Sequence, residues 1–140
     1  VHGLDDEKLA AEITAEVGFP PSWRGGGFAD LEESVRASLR RVRASPLPAL
    51  DHLCCGRAGR AESLLAAAEA LDAAELREVA GEVMASALER ADATGGFALA
   101  APGEPLGMRI GLFRGLSGIG YTLLRLAAPP GTLPSPLLLG

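Results

Sequence analysis

Cysteine is scarce here, and its placement is unusual. The 140 residues hold two cysteines, and they are neighbours, Cys54 and Cys55. Adjacent Cα atoms lie about 3.8 Å apart, short of the roughly 4.4–6.8 Å that a disulfide spans. No other cysteine can pair with either, so a disulfide scaffold is excluded. Two free thiols instead point to a reducing, cytoplasmic setting and to metal or thiol chemistry. Long apolar runs are also missing. None reaches the roughly 18 uninterrupted residues of a membrane-spanning helix. Basic residues are outnumbered, 13 Lys and Arg against 18 Asp and Glu, for a net charge of -5. That balance argues against a general nucleic-acid binder, whose affinity comes from neutralising phosphates. The first residues, Val1-His2-Gly3-Leu4-Asp5-Asp6, have neither a basic flank nor an apolar h-region. No signal peptide is expected there, and without an initiator Met the chain is expected to continue upstream.

What remains is a chain with 48% hydrophobic residues, enough for a packed core and of a length that suits one domain. Apolar periodicity and breakers predict five helices and few strands. Asp5 and Asp6 cap a first helix to about Val17, ended by Gly18, Pro20 and Pro21. A second helix, about Phe28 to Arg43, places Phe28, Leu31, Val35, Leu39 and Val42 at helical spacing. Its acids come early and its arginines (Arg36, Arg40, Arg41, Arg43) late, as the helix dipole favours. That cluster therefore reads as a solvated face. Ser45-Pro46-Leu47-Pro48 breaks the chain. A third helix is expected from Gly56–Gly59 to Leu71. A fourth is expected to about Asp92, opened by a capping-box-like Asp72/Glu75 pair and stopped by Gly95-Gly96. Phe97–Ala101 reads as a short extended segment, and a fifth helix runs from near Gly118 to before Pro129.

One pattern recurs at an offset of about 59 residues. Gly56-x-x-Gly59 is followed by Leu64-Leu65 and Ala68; Gly115-x-x-Gly118 is followed by Leu123-Leu124 and Ala127. A unit of this length, holding two helices, belongs to a helical toroid or solenoid. The glycines would serve where backbone approaches backbone as the chain turns into a helix.

Chemistry concentrates in Asp51-His52-Leu53-Cys54-Cys55-Gly56-Arg57-Ala58-Gly59-Arg60. The positive end of a helix favours anionic groups, and thiolates are the soft ligands zinc prefers. From residue chemistry alone, the pair reads either as metal ligands or as buried structural or incidental cysteines. The stretch Leu53-Cys54-Cys55-Gly56-x-x-Gly59-Arg60 resembles the zinc motif of the lanthionine synthetase C-like cyclases. Its doubled cysteine, in place of Cys-His, is similar to the class II (LanM-type) subset. Gly111-Leu112-Phe113-Arg114-Gly115-Leu116-Ser117-Gly118-Ile119-Gly120 resembles the family's final Gly-Leu-x-x-Gly repeat. The tail Leu133-Pro134-Ser135-Pro136-Leu137 looks like its C-terminal end.

The resemblance implies an all-α fold, a double-layered α/α toroid of which this chain supplies about the last third. It implies a cytoplasmic enzyme that closes thioether (lanthionine) rings by adding a peptide cysteine to dehydroalanine or dehydrobutyrine. Zn2+ is the implied cofactor, with Cys54 and Cys55 as two of its ligands. The implied partners are a dehydrated precursor peptide and the upstream synthetase domain, or the missing part of the toroid. Residues 51–140 carry the cyclase-like region, and residues 1–50 match poorly. The family's third ligand belongs to a Trp-Cys-x-Gly motif. The nearest counterpart, Trp23-Arg24-Gly25-Gly26, has arginine where the cysteine should be. Arg57 stands where the family commonly has a small polar residue. His52 is a candidate proton donor or supporting residue, against a bland role at the helix start. Tyr121 reads as packing, and Trp23 as a loop aromatic. The alternative to a cyclase segment is a degenerate helical module that binds a peptide or protein partner without catalysis.

Overall fold

In the computed structural model, residues 28–105 and 109–137 are described. They form four helices and no strand: α1 (Phe28–Ala44), α2 (Arg57–Leu71), α3 (Ala74–Thr94) and α4 (Leu116–Ala127). The expected all-α character is met. The helix expected at Asp5–Val17, His2 and the Trp23 loop lie outside the described residues. No helix among the described residues is long and apolar enough to cross a membrane. The chain divides into two compact units, Val1–Arg41 and Val42–Gly140. In the first, α1 exposes Leu31 and Val35. An exposed ion pair joins Arg40 to Glu33 at 2.8 Å.

The second unit is built on α2 and α3, which pack along one another, with α4 touching both. Only two residues join α2 to α3, and they correct one expectation. Asp72 does not cap α3; it ends α2 in the left-handed region, φ 49° and ψ 46°, and Ala73 precedes α3 with no side-chain cap. A connection this short must reverse the chain at once, and Asp tolerates that conformation better than most residues. Glu75 then serves α3 as an acid in its first turn, where the dipole favours it. Gly95 stops α3 as expected, at φ 84°, its N–H returning to Ala91 O at 2.8 Å. Residues 97–101 form no strand. They are held by Ala98, whose carbonyl accepts the Asp51 N–H at 2.8 Å.

The core follows from the helical stripes. α3 buries Leu76, Ala80, Val83, Met84 and Ala87 at i, i+4, i+7, i+8 and i+11, one face of a 3.6-residue period. Val79, expected inward, is half-buried, and Ala80 and Met84 take the deeper places. Opposite lie Ala58, Ala61, Leu64 and Leu65 of α2, with Leu53 before it and Ile119 of α4. Each fully buried leucine contributes about 1.5–3 kcal/mol. The alanines let the helix axes approach.

The 59-residue repeat is a repeat of backbone geometry. Arg57 N–H donates to Leu50 O, and Leu116 N–H donates to Arg109 O, both at 2.9 Å and both at the same offset. Gly56 and Gly115 each enter a helix in extended conformation. A Cβ on Gly59 would stand 2.1 Å from Leu53 O, and one on Gly118 would stand 2.0 Å from Leu112 O. Each loop thus folds back across the first turn of its own helix, at a distance only glycine permits. Burial breaks the symmetry. Leu65 is fully buried while its counterpart Leu124 is 60% exposed.

Candidate functional site

The doubled cysteine sits on the loop that leads into α2, and that loop is pinned from beneath. Asp51 is fully buried. Its Oδ2 accepts the Ala98 N–H at 2.8 Å, and its Oδ1 forms an ion pair with Arg90 of α3. Arg90 also donates to Ala49 O at 2.7 Å. Arg57 lies 3.8 Å from the same carboxylate. Its guanidinium donates to Pro48 O at 3.1 Å, Ser86 O at 2.8 Å and Ser86 Oγ at 3.0 Å. Arg57 therefore ties the start of α2 to α3 and to the proline-rich connector. A buried carboxylate between two guanidiniums is costly to desolvate and strongly destabilising to break, so the loop has little freedom.

Above this floor the loop turns outward. Leu53 is buried, whereas Cys54 and Cys55 are both exposed and free. The pair is therefore not buried structural cysteines, which leaves metal ligands or incidental surface thiols. Cys54 N–H donates to Phe113 O at 2.8 Å, so the second Gly-x-x-Gly loop braces the first. By the repeat offset, Phe113 stands where Cys54 stands in its own loop. His52 is fully buried. Its Nδ1 lies 3.5 Å from the Cys55 N–H donor, and its Nε2 lies 4.0 Å from Cys55 Sγ. The imidazole therefore supports Cys55 from below.

Both cysteines line a cavity of about 380 Å³, with Val42, Pro48, Leu53 and Leu137 as apolar wall and Ser45, Arg60 and Ser63 as polar wall. Arg60 donates to Ser45 O at 2.9 Å and to Pro46 O at 2.8 Å. Ser63 Oγ donates to Gly59 O at 3.0 Å. Periodicity marked none of these as neighbours of the thiols.

Farther along α2, a second buried charge cluster joins it to α4. Arg125 pairs with Glu62 and, at 2.7 Å, with Glu69, while its Nε donates to Leu133 O at 3.1 Å. Burial pushes the Glu62 carboxyl above its ordinary 4.5, and the Arg125 guanidinium opposes that rise. Tyr121 packs as expected, its hydroxyl donating to Pro134 O at 2.9 Å. These bonds seat the C-terminal segment that brings Leu137 to the cavity.

A catalytic zinc centre takes three protein ligands and keeps one position open. Cys54 and Cys55, adjacent, exposed and soft, fit two of the three. Among the described residues, no group of three His, Cys, Asp or Glu side chains could hold a metal ion. The donor set is chemically suitable and one ligand short.

Residues 29–138 match the sequence profile of the family described as Lanthionine synthetase C-like protein. No curated protein and no solved structure matches the chain.

Proposed function

This chain belongs to the lanthionine synthetase C-like family, and we propose that it supplies the doubled-cysteine side of a zinc-dependent cyclase centre in a class II (LanM-type) lanthipeptide synthetase. The substrate is a dehydrated precursor peptide, the setting is cytoplasmic, and the whole domain is the family's α/α toroid. The observation that carries this reading is the pair of exposed thiols on the pinned loop before α2, both on the wall of one cavity.

In the reaction, a peptide cysteine adds across the double bond of dehydroalanine or dehydrobutyrine. The S–Cβ bond forms, the π pair moves toward the carbonyl as an enolate, and a proton returns to Cα. Nothing is oxidised and nothing leaves. Bound zinc supplies a Lewis acid that keeps a substrate thiolate available at neutral pH. The residues of this chain position the site. Cys54 and Cys55 would hold the metal, with the Asp51–Arg90–Arg57 floor fixing their backbone. His52 orients Cys55 from the buried side. A third thiolate is absent from the sequence, so the isolated chain is expected to be an inefficient cyclase, and rapid ring closure by it alone would overturn that expectation.

Zinc content is the direct test. One tightly bound zinc per folded chain, lost on Cys54→Ala, supports the proposal. The second reading, a helical module that binds a partner without catalysis, draws on the lack of a three-donor group among the described residues. A folded protein without zinc favours it. One zinc per two chains in a dimer points instead to a closed Cys₄ site with no open position.

A further inference from the structure

We infer that the cavity of about 380 Å³ beside Cys54 and Cys55 is a subsite for an apolar side chain of the peptide, adjacent to the reacting group, with Leu137 on its wall. The inference rests on the cyclase reading for the nature of the substrate. The preference for an apolar occupant rests on the wall itself.

Val42, Pro48, Leu53 and Leu137 give that wall an aliphatic surface. The polar lining is partly engaged by the chain. Each terminal nitrogen of Arg60 donates one hydrogen bond, to Ser45 O and to Pro46 O, which fixes the guanidinium on the wall, and Ser63 Oγ donates to Gly59 O. A cationic side chain entering here would lose water and meet the Arg60 guanidinium instead of a counter-ion, which is costly. An aliphatic one would lose only unfavourable hydration. The thiols stand on the same wall, so a group held in the cavity is held beside the sulfur atoms. That is the positional advantage a subsite gives to an addition reaction.

Leu137 reaches the cavity from the far end of the chain. Its segment is fastened through Tyr121 to Pro134 O and through Arg125 to Leu133 O. The wall is therefore assembled from Val42 near the end of α1, the connector that follows it, α2 and the C-terminal segment.

The test uses N-substituted maleimides, which are themselves Michael acceptors, on the 140-residue chain without metal. Alkylation of Cys54 and Cys55 is followed by mass spectrometry, and each rate is divided by that of the same reagent with a free cysteine peptide. N-butyl should outrun N-ethyl by on the order of tenfold, at about fourfold per buried methylene. An N-aminoalkyl reagent of the same length, cationic at neutral pH, should be slower than both. Ser63→Trp, which fills the cavity, and Leu137→Glu, which places a charge at its mouth, should each abolish the butyl preference. Reaction with small iodoacetamide should change less than twofold, a control for folding and thiol access. Equal normalised rates for the three maleimides, or a butyl preference unchanged in both variants, overturns the inference. Zinc stoichiometry is measured separately, so failure of the subsite and failure of the zinc reading are distinguishable.

Discussion

The close approach at the second glycine of each Gly-x-x-Gly loop can be tested by one substitution made at two places in one helix. Gly118 and Gly120 both lie in α4. Leaving tertiary contacts aside, Gly→Ala in a helix interior stabilises by about 1 kcal/mol. At Gly120 nothing lies within 4 Å of the added Cβ, so that gain should be realised. At Gly118 the Cβ would stand 2.0 Å from Leu112 O and 2.9 Å from Leu53 Cβ. The first partner is backbone, so relief requires the loop to move by about 1 Å against its own hydrogen bonds. Overpacking of this kind costs about 1–3 kcal/mol, and a backbone partner puts the cost at the upper end. Set against the helix gain, Gly118→Ala should lose about 2 kcal/mol. At roughly 4 °C per kcal/mol for a chain of this size, melting should fall by about 8 °C for Gly118→Ala and rise by about 4 °C for Gly120→Ala. Circular dichroism melts of the two variants in one buffer measure both. A Gly118→Ala protein as stable as the parent would refute the claim that the loop crosses the first turn of α4 at glycine distance.

The same geometry predicts that Gly59→Ala, with its Cβ 2.1 Å from Leu53 O, loses about as much as Gly118→Ala. Because Leu53 precedes Cys54, it should also change the alkylation rate of the thiols. Asp51→Ala leaves Arg90 without its buried partner and should cost about 3–5 kcal/mol; urea unfolding reads the loss, and unchanged stability would remove the floor from the site. Arg125→Met should cost a similar amount, since it strips the ion-pair partner from fully buried Glu62 and unfastens Leu133. Glu62 also sets a pH dependence. Its folded pKa lies above the ordinary value through burial, so the folded state holds that proton more tightly than the unfolded one. Stability contributed by protonation is present below pH 4.5 and is lost as pH rises through the raised folded value. Glu62→Gln should remove that downward slope, and melts between pH 4 and 8 that run parallel for parent and variant would count against it.

Much of the helix layout was legible from breakers and spacing. Pro46, Pro48, Gly95 and Gly56 punctuate the chain by local rules, because proline lacks a donor and glycine tolerates conformations other residues avoid. Asp72 shows where such rules fail. Its neighbours permit both a cap for α3 and a left-handed end for α2, and the two-residue connection decides. The site was legible in its reactive atoms and not in its surroundings. Cys54 and Cys55 announce themselves, but nothing local tells that both face outward while His52 lies buried beneath one of them.

The sequence by itself determined four of the elements, the 59-residue recurrence and the identity of the two thiols, which are matters of near-neighbour sterics and composition. Tertiary structure alone decided which charges meet. Asp51 finds Arg90, Arg125 finds Glu62 and Glu69, and Leu137 comes to a cavity begun at Val42. These partners are tens of residues apart, and no periodicity encodes a pairing between separate helices. A third thiolate is something neither level provides, because the chain holds two cysteines and folding cannot add a donor the sequence lacks.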